Sequence, residues 1–213
     1  MKKIIISLLC FVGAFALEVQ ARENLTLGQA ANLTPEQIEE FKIRIAAKID
    51  EFQSQLEYIG SKKSTEATKD AATKAALDLF IGKGQPYTVT DLEGNRINKP
   101  AVKMQVSSKK RRTPNTILLK TYLNNLRYSR YSKLVIEQSD AVRVDNIYQT
   151  GPGQYEAVAY FCQDFYGYRD GKVVYHDTTE KAVRVHIRAI ESPEIGQVVW
   201  EAYLGDIKVL NTY

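Results

Sequence analysis

The chain has 213 residues, 44% apolar and 25% charged, with 29 Lys and Arg against 25 Asp and Glu for a net charge of +4. That length supports one domain with a sizeable core, and the charge is too mild to argue for nucleic acid. Of the two cysteines, Cys10 sits in an N-terminal apolar run. Cys162 therefore has no partner for an internal disulfide and reads as a buried small hydrophobe.

Residues 1–21 read as an export address. Lys2 and Lys3 give a positive start, the run from Ile4 to Leu17 an apolar core, and Val19-Gln20-Ala21 a small residue before a cut that leaves Arg22 first. The apolar run is shorter than the roughly 20 residues that cross a bilayer. Leu9 stands where a lipoprotein signal has Gly or Ala before Cys10. Losing 21 of the 213 residues leaves 192, and losing Lys2, Lys3 and Glu18 takes the charge from +4 to +3. The expected location is the periplasm or the exterior, with no transmembrane segment in the mature chain. Residues 22–33 are expected to form a flexible leader, and residues 34–213 a single domain.

Thr34-Pro35-Glu36-Gln37 combines a capping threonine, a proline at the first helical position and a glutamine at the third. Ile38, Phe41, Ile45, Ile49, Phe52, Leu56 and Ile59 follow at steps of three and four. The spacing predicts a helix ended by Gly60, its stripe either the core face of a helix on a sheet or a coiled-coil seam. A second, alanine-rich helix is expected over 64–81, with Ala72, Ala76, Leu79 and Phe80 on one side and Gly82, Gly84 and Pro86 as breakers. Short strands are expected at Tyr87–Val89 and Ala101–Val106, with a polar loop around Asp91–Asn95 between them. Thr113-Pro114 predicts the start of a third helix reaching Leu126, with Leu118, Leu119, Tyr122, Leu123 and Leu126 buried.

From Lys133 the pattern changes to strands. The segment from Leu134 to Tyr148 is extended, with a bend near Ser139-Asp140, and Gly151-Pro152-Gly153 is a turn. The next strand, from Gln154 to Tyr166, is apolar at both parities, which predicts cover on both faces. Asp170-Gly171 is a two-residue hairpin turn. From Lys181 to Ile190, Val183, Val185 and Ile187 alternate with Arg184, His186 and Arg188, placing His186 on the more polar face. After a turn at Ser192–Gly196, Val198, Trp200, Ala202 and Leu204 face inward on a last strand running past Gly205 to Val209. Thirteen tyrosines, eight of them from Tyr122 to Tyr168, suit a sheet with a wet edge or a binding surface.

This order of helices and long antiparallel strands resembles the NTF2-like fold, the α+β cone in which helices pack on a strongly curved antiparallel sheet. The resemblance rests on Thr34–Ile59, Thr113–Leu126 and Gln154–Val209, and extends to small exported NTF2-like proteins of the bacterial cell envelope. The segment from Gly167 to Thr179 is longer than a plain turn between the wrapping strands and reads as an extra hairpin. The resemblance implies little about activity, because such cones serve isomerases, dehydratases, ligand binders and structural modules.

The candidate pocket residues are Tyr160, Asp164, His186, Trp200 and Asp206. The carboxylates stand near strand ends, where burial would raise a pKa toward general-base use. His176 and Asp177 are neighbours in an extended run and point to opposite faces, which argues against a relay between them. Two dispersed histidines give no metal spacing, so neither metal nor cofactor is expected. Neither a nucleophile elbow nor a phosphate loop occurs. The run Lys109, Lys110, Arg111 and Arg112 is a solvated loop or, with Arg127, Arg130, Tyr128 and Tyr131, a basic patch for an acidic partner. The resulting expectation is a non-catalytic binding or interaction module with an envelope protein or small ligand as partner, dimerising through the outer sheet face. The alternative is a small-molecule enzyme of isomerase, dehydratase or hydrolase type, with an acid/base residue in the cone.

Overall fold

A computed structural model describes residues 32–109, 111–192 and 197–213. The expected export address, most of the expected leader, Lys110 and the turn expected over 193–196 lie outside the described residues. Asn32 and Leu33, assigned to the leader, are tied down: Leu33 is buried, its N–H donates to the Tyr155 hydroxyl, and that hydroxyl donates to Asn32.

Helix α1 spans Pro35–Gly60, and both halves of the predicted capping box are present: Thr34 Oγ1 accepts from the Gln37 N–H and Gln37 Oε1 from the Thr34 N–H. Phe41, Ile45, Ile49, Phe52, Leu56 and Ile59 are buried, so the stripe is the core face. Gly60 is the last helical residue and not a left-handed cap. A Cβ there would come 2.0 Å from the Leu134 side chain, so the glycine makes room for close packing on the sheet. Helix α2 (Glu66–Asp78) buries Ala72 and Ala76. A tight turn at Ile81–Gly84, with positive φ at Gly82, Lys83 and Gly84, follows it.

Strands β1 (Tyr87–Thr90) and β2 (Arg96–Lys99) form a separate antiparallel hairpin, so the expected polar loop is its turn. Strands β3 (Lys103–Ser108) and β4 (Arg111–Leu118) form another. Helix α3 is therefore short, Leu119–Arg127, and Thr113-Pro114 belongs to a strand. The cap-plus-proline pattern misleads because β4 is a sheet edge, where a proline without an N–H removes no ladder bond. Leu118, expected in the helix, is 44% exposed at the end of β4.

Strands β5 (Lys133–Gln138), β6 (Arg143–Val144) and β7 (Tyr148–Gly151) pair in succession with β8 (Gln154–Arg169). Strands β9 (Lys172–Ser192) and β10 (Gln197–Thr212) complete an open sheet of order β4-β3-β10-β9-β8-β5. The last hundred residues pair antiparallel as expected. The sheet is nonetheless mixed, because β3 joins β10 in parallel at Met104–Ile207. Straight, the 21 residues of β9 would run about 70 Å, well beyond the width of a domain this size. The long strands bend instead, with register shifts between Gly167 and Tyr168 and between Leu204 and Ile207.

The helices fill the concave face against Ala157, Ala159, Phe161, Val183, Val185, Ile187, Ala202 and Leu204. The outer face of β8 is only half covered: Val158, Tyr160 and Cys162 are partly exposed, against the expectation of cover on both sides. The stretch read as an extra hairpin is the tip of β8–β9 itself, paired out to Arg169–Lys172 through the register shift at Gly167 and Tyr168. Asp170 and Gly171, at φ 50° and 76°, form its turn.

Candidate functional site

The helices stop short of the β8–β9 tip, leaving a cavity of about 330 Å³ on the concave face. Met104 and Val106 of β3, Tyr122 and Leu126 of α3, Tyr131, and Gln163 and Phe165 of β8 wall it, together with Tyr175, Asp177, Thr179 and Lys181 of β9. Its volume falls within the range of small-molecule pockets. A larger groove of about 480 Å³ between the α1–α2 connection and β5 is lined by none of the buried charged residues.

Four of the few buried polar residues meet in this cavity: Gln163, Asp177, Thr179 and Lys181, each 6% exposed or less. Parity explains the gathering. On β9, residues 177, 179 and 181 continue the inward series of Val183, Val185 and Ile187, and Gln163 continues that of Ala159 and Phe161 on β8. Lys181 Nζ donates to Gln163 Oε1 at 2.8 Å. Among the described residues no carboxylate lies within 4.0 Å of it. Burial lowers its pKa to about 8, with Asp177 opposing the shift from further off. Asp177 accepts from the Tyr175 hydroxyl. Burial raises the pKa of Tyr122, Tyr131 and Tyr175, and the Asp177 charge adds to each, so these phenols stay protonated donors. Gly167 makes room for Tyr131, whose ring lies 2.4 Å from where a Cβ would stand. Tyr131, Phe165 and Tyr175 pack as an aromatic cluster.

An ammonium ion has three donors, and Lys181 spends one on a neutral amide. Burying such a charge without a counter-ion is unfavourable unless a ligand completes it or it loses its proton. The cavity can therefore take an apolar body against Met104, Val106, Leu126 and Phe165, and an acceptor oxygen at Lys181.

None of the five residues proposed from sequence lines this cavity. Tyr160 faces outward under the Arg143 guanidinium, 4.1 Å from its ring. Asp164, also outward, accepts from Thr178 and lies 3.7 Å from His176 Nε2. Asp206 sits in the β10 bulge and accepts from the Lys103 N–H. Trp200 packs edge-on against Tyr155, partly buried at the margin of the core. His186 is on the outer face as read, yet only 4% exposed, because the β1–β2 hairpin lies over it. Its Nδ1 is 3.1 Å from Glu156 Oε1, Tyr87 meets it edge-on, and Arg188 anchors the hairpin by donating to the Thr88 carbonyl. The bond to His186 lowers the Glu156 pKa.

Of the basic run, Lys109 is exposed in the β3–β4 turn. Arg127 does not join it, because its guanidinium pairs with Glu66 and Asp70. Among the described residues no group of three ligating side chains could hold a metal, and no helix is long and apolar enough to cross a membrane.

No family model and no curated protein matches the chain. A crystal structure of a candidate scytalone dehydratase from Novosphingobium aromaticivorans is similar at 10% identity and a TM-score of 0.42, over 84% of this chain and 90% of that one.

Proposed function

We propose that this protein is an exported, NTF2-like binding module whose cone holds a small amphipathic molecule, with an apolar body and a carboxylate or carbonyl oxygen bound at Lys181. One observation carries the reading: a buried lysine whose one hydrogen-bond partner among the described residues is a neutral amide lines a cavity that combines apolar and aromatic walls with polar groups such as Asp177, Thr179 and Ser107. Export rests on residues 1–21 and puts the ligand outside the cytoplasm. Binding of 3-phenylpropionate, measured by calorimetry, tests the site. The wild-type protein is expected to bind it, and Lys181→Met to bind it at least ten-fold more weakly, the worth of about one charge-assisted hydrogen bond. Equal affinity in the two proteins would overturn the reading.

The Tyr175–Asp177 pair favours a second reading, an enzyme using that pair as acid and base on the bound molecule. Chemical change in a bound probe, followed by proton NMR, would favour it. A probe that persists unchanged favours the binding module.

A further inference from the structure

We infer that Lys181 captures small hydrophobic aldehydes in the mouth of the cone as a reversible imine. The inference rests on the reading of this cavity as a ligand site and adds the class of ligand and the bond. Three observations carry it. The amine is 6% exposed yet lines an open cavity, so a ligand reaches it while bulk water is largely excluded. Among the described residues its one hydrogen bond is to an amide oxygen, and no carboxylate within 4.0 Å holds it as an ion. The same cavity offers a hydrocarbon chain apolar walls at Met104, Val106, Leu126 and Phe165, beside the polar Ser107, Asp177 and Thr179.

The depressed pKa supports the chemistry. At about 8, roughly a tenth of the amine is neutral at pH 7, against under about 0.1% for an ordinary lysine. The neutral nitrogen attacks the carbonyl carbon with its lone pair, a C–N bond forms, and the π pair moves to oxygen. Two protons from the nitrogen and the former carbonyl oxygen leave together as one water, and the C=N bond forms. No oxidant or reductant enters. The Tyr122 and Tyr131 phenols, held protonated, supply donors in the same cavity for the leaving hydroxyl.

The test uses 3-phenylpropanal with cyanoborohydride as the trap for imines, 3-phenylpropanol as a competitor that occupies the cavity without reacting, and peptide mapping of the adduct. Lys181 is expected to be labelled at least about ten-fold faster than the surface lysines. The alcohol should protect it, and Lys181→Met should lose the fast adduct while circular dichroism shows it folded. If the alcohol binds but labelling spreads evenly over surface lysines, the imine is overturned and the binding site stands. If the alcohol neither binds nor protects, the binding reading is overturned as well.

Discussion

In the wild-type protein the free energy of unfolding is expected to rise by about 2 kcal/mol between pH 7 and about 9.5, and in Lys181→Met that rise is expected to vanish. The folded pKa of Lys181, about 8, lies below its ordinary 10.5. Across that window the unfolded chain binds the proton and the folded chain does not, so folding gains as protons become scarce. At pH 7 burial of the ammonium costs about 3 kcal/mol, the full gap between the two values. Above about pH 10 the sign reverses. There the pKa values of Tyr122, Tyr131 and Tyr175 are higher folded than unfolded, so their contribution is lost as pH rises through the folded values. Methionine leaves Gln163 without its donor, so the absolute stability of the variant mixes two effects, whereas the slope isolates the lysine. Urea titrations across the pH range give that slope. A wild-type slope equal to the variant's would mean that Lys181 is solvated.

Phe80→Ala is expected to lower stability by about 3–5 kcal/mol, a large share of the roughly 5–15 kcal/mol a domain has. Phe80 is fully buried, meets Phe52 edge-on with centroids 4.9 Å apart, and bridges to Leu204 of β10 just beyond α2. It locks α1, α2 and the last strand together at the filled end of the cone, where nothing can collapse into the space an alanine leaves. The urea midpoint should fall with an unchanged m-value, and Phe80→Leu should cost less than half as much. A loss below about 1 kcal/mol would mean that the helices do not close on β10 as described.

The helical layer was legible at α1 because capping, proline placement and apolar spacing agree there. It failed at Thr113-Pro114 because a sheet edge tolerates the same residues, and an edge is a property of the finished sheet. The long strands were legible from alternation and from Asp170-Gly171. The site was missed for a reason that can be named. Setting the stretch from Gly167 to Thr179 apart as a separate hairpin broke the parity of β9 just before Lys181. Carried on without a break, the alternation from Ile187 back through Val183 puts Lys181, Thr179, Asp177 and Tyr175 inward, and polar residues on an apolar parity are the mark of a built pocket. The burial of His186 lay beyond any such reading, because it depends on the β1–β2 hairpin folding over a distant strand.

The proposed function requires that the open end of the cone present a desolvated amine to a ligand. Its most direct measurement is an NMR titration of the Lys181 side-chain carbon in protein carrying labelled lysine, with and without 3-phenylpropionate. The expected result is a midpoint near the value of about 8 in the free protein. It should move upward when the carboxylate binds, since an anion favours the ammonium form. A midpoint at the ordinary lysine value, unmoved by the carboxylate, would contradict it.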